Sequence, residues 1–402
     1  MFRKGILKLD LNLVSINHGC GNKRVVEAKL EQKENKPGDW VMIYVIFAAL
    51  SLTVLGLVML FSAGVVRGAQ ALLTKQVIWL ILSLAMGAYA IFINLDWLRR
   101  RAWLIFGICM LGLVLTLVPG IGVKVNGAQR WIGLGPLRVQ PSEFAKIGLV
   151  LILAAYFASR HREIKNFVGG FFIPSLIVGS CCGMIILQPD FGTCFLCGAV
   201  AATLMFQAGT SLRWLLPVAG LAITAFSVLV YFDPVRIRRV TSFLDVEANS
   251  NDSAYQLWQG MLAFGVGGLD GVGLGMGRQQ VHFLPEAHTD FIFPVIGEEL
   301  GLIVTATIVF CFLLLFASVF LRLRQVPRLF EYLLATGAIL FVTLQAIINM
   351  GVVTGSLPTK GMSLPFISYG GSNLVVTFVL LGFVINVLKS LKKPRSLKVR
   401  EI

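Results

Sequence analysis

Five ionisable side chains, Glu286, His288, Asp290, Glu298 and Glu299, crowd into the stretch FLPEAHTDFIFPVIGEELG at the edge of an apolar run. An ionised carboxylate beside hydrocarbon is costly unless it faces a polar cavity or a partner, so this crowding points to proton transfer, ligand binding or transport. Asp290 stands at the boundary of the run. Glu298 and Glu299 fall about two helical turns deeper and need not act with it. Glu286 and His288 are near enough in sequence to tune Asp290, or merely to cap the helix that follows.

Five other constellations carry reactive or charged groups. In QPSEFAK, Pro141 and Glu143 have the grammar of a helix start, and Glu143 and Lys146 are spaced i,i+3. They form either a neutral structural pair or a polar patch lining a cavity. Upstream, NGAQRWI places Trp131 next to Arg130, as an interface anchor or as a platform for a sugar or headgroup. Asp190 in QPDFGT either caps a helix or binds a cation or substrate. Arg236, Arg238 and Arg239, followed by Thr241 and Asp245, suit phosphate geometry or a salt-bridge network. The last, GVVTGSLPTKGMSLPFISYGGSN over Gly351–Asn373, holds Lys360, Ser368 and Tyr369 among prolines and glycines. A broken element of that kind is tolerated at membrane depth only where protein or a water-filled cavity covers it.

Positioning these groups falls to membrane-spanning helices. Mean hydropathy is +0.81, with 56% hydrophobic and only 14% charged residues, far from a soluble domain. Apolar runs of about 20 residues predict an all-α polytopic membrane protein of ten transmembrane helices. They fall near 41–62, 71–93, 102–118, 141–158, 168–187, 191–208, 213–231, 291–321, 330–353 and 367–388. Residues 1–40 are polar and basic without an apolar h-region, read as a disordered cytoplasmic tail with no cleavable signal; 41–390 form the membrane domain and 391–402 a second basic tail. With both termini cytoplasmic, 24 of the 35 Lys and Arg fall inside and nine outside, as the positive-inside rule requires.

The net charge of +15 therefore reads as topology and contact with membrane lipids, not nucleic-acid binding. Cys194 and Cys197 form CxxC on an apolar helix without paired ligands, a structural pattern. A long extracytoplasmic loop, 232–289, joins the seventh and eighth spans. Its Tyr255–Phe264 segment predicts a short amphipathic helix. Seven glycines in thirteen residues follow, in GVGGLDGVGLGMG, as a turn-rich linker or a backbone that approaches a ligand.

In this order, NGAQRWI, QPSEFAK, QPDFGT, FLPEAHTDFIF, GEELG and LPTKGMSLPFISYGGSN resemble the SEDS family (shape, elongation, division and sporulation) of bacterial peptidoglycan glycosyltransferases. The resemblance covers about residues 41–390, and PTKG at Pro358–Gly361 is closer to the cell-division branch than to the elongation branch. It implies a ten-span enzyme of the bacterial cytoplasmic (inner) membrane, at the division septum, that polymerises lipid II into glycan strands. Its partners would be lipid II, the nascent glycan strand, a class B penicillin-binding protein transpeptidase and other division proteins.

The family's aspartate falls on Asp290 and its tryptophan on Trp131, while Glu143, Lys146 and Asp190 match its central polar positions. Asn373 and Pro294 depart from the expected Ser and small apolar residue. The implied reaction is an inverting transfer with Asp290 as general base and loss of undecaprenyl pyrophosphate. Arg236, Arg238, Arg239 and Lys360 are candidates to meet the leaving group, as is a divalent cation, Mg or Mn; Ser368 is a further cavity candidate. The alternatives are a lipid II flippase and an elongation-type polymerase.

Overall fold

The computed structural model describes residues 27–29, 39–67, 70–125, 128–134, 137–250, 254–278, 288–358, 360–391 and 396–398. Helices α1 (Asp39–Arg67), α2 (Gln70–Phe92) and α3 (Leu95–Leu117) lead into strands β2 (Gly122–Val125), β3 (Ala128–Leu134) and β4 (Leu137–Val139). Then come α4 (Pro141–Ser159), α5 (Ile173–Leu187), α6 (Phe191–Ala208), α7 (Leu212–Tyr231), α8 (Pro234–Leu244) and α9 (Tyr255–Gly267). The chain ends with α10 (Ile292–Leu323), α11 (Leu329–Val353) and α12 (Gly371–Ser390). Strand β1 (Glu27–Lys29) pairs antiparallel with β5 (Ser396–Lys398) and brings the two tails together. The tail expected to be wholly unstructured thus holds a strand; its other residues before Asp39 lie outside the described residues.

Among the described residues nine helices are long and apolar enough to cross a membrane. Helix α7, Leu212–Tyr231, occupies the place of the seventh expected span, 213–231. Two span boundaries differ from expectation. Helix α3 starts at Leu95, not 102, because Asn94 caps it: Oδ1 accepts from the amides of Asp96 and Trp97 at 2.9 and 3.1 Å. Arg99–Arg101 therefore sit in its first turns instead of a loop. Helix α12 starts at Gly371, not 367, because Pro365 and the positive φ of Phe366 (68°) keep the preceding segment out of helix.

The expectation of an all-α chain needs one correction outside the spans. Segment 119–140 folds into a three-stranded antiparallel sheet, in the order β2-β3-β4. Val125 pairs with Ala128 across Asn126-Gly127, the strongest short hairpin signal, so the information was in the sequence. High overall hydropathy drew the reading toward helices alone.

Helices α4, α11 and α12 form the centre. Their most apolar windows are 78, 83 and 89% buried, against 22–50% for the other candidate spans. A central helix has no lipid-facing side, so it can carry polar groups that a peripheral helix would expose to hydrocarbon. Most of the buried polar side chains that matter below, including Glu143, Lys146, Gln345, Asn349 and Asn373, sit on these three helices.

Helix α10 is broken at Gly301 (φ 77°, ψ −177°), and the glycine-rich strip docks into the break. Val272 and Gly273 donate to the carbonyls of Glu298 and Glu299 at 2.9 and 3.0 Å, and Leu302 donates to Gly268 O at 2.9 Å. A Cβ on Gly271 or Gly301 would collide with the opposing backbone. The strip forms turns, and its glycines supply main-chain partners for a helix that has lost its own bonds. The break also accommodates the deep acids. Glu299 accepts from Ser62 Oγ at 2.8 Å, and Glu298 accepts from the Arg278 amide at 2.8 Å. Gly301→Ala puts a side chain where backbone conformation and space both forbid it. We expect a loss of about 2 kcal/mol or more, read as a lower melting temperature in detergent; an unchanged melt would contradict the docked strip.

Candidate active site

The turn 288–290, just ahead of α10, is tied at both ends to the segment between α11 and α12. The Tyr369 amide donates to His288 O at 2.9 Å, and the two rings stand 5.7 Å apart. On the other side Asn349 of α11 donates through Nδ2 to Asp290 O at 2.8 Å and to Met362 O at 2.5 Å. One buried amide thus clamps the Asp290 backbone to the 360s. The carboxylate itself lies against Gly361, where a Cβ would collide with Oδ2. Glycine at 361, the residue after Lys360, is therefore a condition for the Asp290 carboxylate to sit where it does.

Lys360 crosses to the other wall of the site. Its methylenes run over Gly192 in the first turn of α6, where a Cβ would collide with them; its Nζ lies 5.6 Å from the Phe191 ring centroid and 3.9 Å from Asp190 Oδ1. Asp190 takes the capping role and makes a second contact besides. It caps α6, accepting from the Thr193 amide at 3.3 Å and hydroxyl at 2.8 Å, and it also faces Lys360 and the Gln140 side-chain amide at 3.5 Å. Arg130 of β3 donates to the carbonyls of Gln188 and Pro189, at 2.9 and 2.5 Å, fixing the α5–α6 turn that presents Asp190. Trp131 follows on the same strand, half-buried and paired across to Val123.

Beneath this outer group lies a second one. Lys146 Nζ donates to both Glu143 oxygens at 2.8 Å and to Gln345 Oε1 at 2.7 Å. Gln345 Nε2 passes the chain on to Ser363 O at 2.8 Å and Asn373 Oδ1 at 2.9 Å. Asn373, a departure from the family pattern, thus supplies an acceptor that this network uses. The other departure, Pro294, packs against Gly260 of α9. Gln140 and Ser142 join the two groups at the start of α4: the Gln140 amide donates to Ser372 Oγ and its side chain to Ser142 Oγ, each at 3.0 Å.

Not every expected residue joins. Ser368 is buried, and its hydroxyl accepts from the Leu364 amide at 2.8 Å, closing its own turn. Arg238 and Arg239 are exposed on α8, which the sequence reading treated as loop. Arg239 is close enough to act on the charge of Lys360. Of Arg236 only the backbone, on α8, is described; Glu286 lies outside the described residues. Gln140, Gln345 and Asn349 were missed as site residues. Yet Gln345 and Asn349 stand four apart in a long apolar run, and polar groups at that spacing share the inward face of a spanning helix.

The outer group is rich in cations. Among the described residues no cluster of three or more His, Cys, Asp or Glu is ready to hold a metal ion. Asp190 is already faced by Lys360, so these side chains suit an anionic ligand better than a resident cation. Burial pulls the Lys360 ammonium down from 10.5 to about 8; Asp190 opposes this, and Arg130 and Arg239 add to it.

A bundle of apolar helices with a clamped carboxylate, a cationic outer group and a neutralised inner pair defines the class. A family described as cell cycle protein, comprising FtsW, RodA and SpoVE, matches residues 42–393, and the chain belongs to it. Among its relatives is a probable peptidoglycan glycosyltransferase FtsW of Allochromatium vinosum, 40% identical over 80% of this chain and 82% of the relative. Another, from Geobacter sp. (strain M18), bears the same description and is 38% identical over 85% of this chain and 95% of that one. Among solved structures, one of a peptidoglycan synthase complex that coordinates polymerization and crosslinking is similar at TM-score 0.74. Its identity is 28%, over 88% of this chain and 98% of that one. The rod shape determining protein RodA of Thermus thermophilus is similar at TM-score 0.64 and 29% identity, over 87% and 97% of the two chains.

The position of Lys360 makes a pH prediction. Its folded-state value lies below the unfolded one, so the unfolded chain holds more protons between pH 8 and 10.5 and the group's contribution to stability rises across that window. The melting temperature of the wild type relative to Lys360→Met should therefore rise as pH is taken from about 8 to about 10.5. A difference independent of pH would rule out a depressed ammonium.

Proposed function

We propose that this chain, a peptidoglycan glycosyltransferase, polymerises lipid II into glycan strands on the outer face of the bacterial cytoplasmic membrane, with Asp290 as general base. The observation that carries the reading is the pinned turn of Asp290, its backbone clamped by Asn349 and its carboxylate held against Gly361, the residue that follows Lys360. In the proposed step the acceptor sugar's 4-hydroxyl oxygen attacks C1 of the donor sugar from the side opposite the pyrophosphate. The new glycosidic bond forms as the C1–O bond to pyrophosphate breaks. The hydroxyl proton goes to Asp290, the electron pair leaves with undecaprenyl pyrophosphate, and the configuration at C1 inverts.

A phosphate leaving group departs as an anion and needs no proton donor, only positive charge. Lys360 and Arg130 supply it from held positions, which limits reorganisation when charge develops, and Arg239 adds to it from α8. Arg238 on the same helix is a further candidate, and Trp131 is placed to position a sugar or the long loop. His288 acts through the turn it shares with Asp290. Glu143 and Lys146 neutralise one another inside the bundle and shape the cavity floor without entering the reaction.

The relatives described as FtsW support a role in cell division, at the septum. Similarity to a synthase complex that couples polymerization to crosslinking supports a class B penicillin-binding protein as partner. Both termini would then be cytoplasmic, where the basic residues concentrate.

Purified protein with its transpeptidase partner, given lipid II and a transpeptidase inhibitor, should make long glycan strands. Asp290→Asn should lower that rate by roughly 10²–10⁴-fold while the protein still folds and binds lipid II. Normal synthesis by the folded variant would remove Asp290 as base. Movement of lipid II across the bilayer by wild type without polymer would instead indicate a transporter.

A further inference from the structure

At the other end of α4 from Glu143 the structure holds a cleft of about 810 Å³ between α3, the end of α4 and the start of α5. A 19-residue helix is about 28 Å long, so the cleft lies on the membrane face opposite Asp290, at headgroup depth. Arg99, Arg100 and Trp103 of α3, Tyr156 and the C-cap residue Arg160 of α4, and Ile173 line it. No step of the proposed reaction uses it.

Its charge is unbalanced. Asp96, the one carboxylate of the lining, turns to Arg328 at 3.7 Å, outside the cleft. Arg160 is met by Glu163 at 3.0 Å and lies 5.7 Å from the Tyr156 ring centroid. Arg99 donates only to neutral acceptors, Ala158 O and Ser159 Oγ, both at 3.3 Å. Among the described residues neither Arg99 nor Arg100 has a carboxylate within ion-pair distance.

The walls are built rather than incidental. Tyr156 is buried and donates its hydroxyl to Gly169 O at 2.8 Å, tying α4 to the turn of π-helix that precedes α5. Trp103 is 58% exposed at the rim, where an indole rests between acyl chains and headgroups.

We propose that this cleft binds the headgroup phosphate of an anionic phospholipid from the leaflet opposite the reaction. The Arg99 and Arg100 forks take the phosphate oxygens, Trp103 packs on the glycerol and upper acyl region, and the apolar flanks of α3 and α5 follow the chains. Basic residues elsewhere on this face attract anionic lipid diffusely. The cleft adds a shaped place where one lipid is retained, and it does so whether or not the reaction assignment above holds.

The test is native mass spectrometry of the full-length protein in detergent, titrated with phosphatidylglycerol and with phosphatidylcholine. Wild type should retain phosphatidylglycerol preferentially. The double variant Arg99→Gln/Arg100→Gln should lose about ten-fold or more of that retention. Arg322→Gln/Arg324→Gln, on the same face outside the cleft, should keep it. Arg100→Gln alone, at an exposed side chain that leaves the melt unchanged, should give an intermediate loss and guards against misfolding of the double variant. Equal loss in the Arg322/Arg324 control, or full retention in both cleft variants, overturns the proposal. Displacement of the lipid by soluble glycerol phosphate at millimolar concentration also overturns it, assigning the arginines to a free anion.

Discussion

A lysine inside a membrane bundle must be neutralised on the spot, and much of this architecture follows from how Lys146 meets that demand. Its Nζ is satisfied by Glu143 one turn away and by Gln345 of α11, and Gln345 in turn holds the 360s loop and α12. Removing one partner would strand a buried charge at a cost of about 3–5 kcal/mol. The requirement therefore binds α4, α11 and α12 into a common centre. The three most buried spans are the three that share this network.

From that centre the outer site inherits its rigidity. Gln345 and Asn349 are successive inward positions on α11; the first anchors Ser363 O, the second Met362 O and Asp290 O. A segment without helical structure is thus held by side-chain amides against the buried face of α11, where its own carbonyls would otherwise lack partners. Asp290 and Lys360 reach the site on such backbone. Helix α10 repeats the theme at Gly301, where the glycine strip replaces the missing intrahelical bonds. Irregular backbone is covered by protein in both places.

The residues with charge or unusual chemistry were legible in the chain because an apolar background makes them conspicuous. Asp290, Glu143, Lys146, Asp190 and Lys360 all stood out this way, and the helices that carry Glu143 and Lys146 or border the other three follow from run length. The missed residues were neutral amides, Gln140, Gln345 and Asn349, whose importance lies in what they bridge. Ser368 went the other way: prominent in a distinctive motif, it closes its own turn. The small sheet was hidden by a global hydropathy that says nothing about a short polar loop, although Asn126-Gly127 marked its first hairpin.

Hydropathy along the chain already specifies a polytopic helical membrane protein and marks the few ionisable groups that had to find partners. Those are properties of single segments, set by solvation of side chains and backbone in hydrocarbon. Contacts between distant segments settle that Asp190 caps a helix and faces Lys360 as well, that Gly361 makes room for Asp290, and that the glycine strip fills a break in α10. Each depends on close approach between segments far apart in the chain. Sterics at that range, a missing Cβ or a shared carbonyl, leave no periodic trace in the sequence.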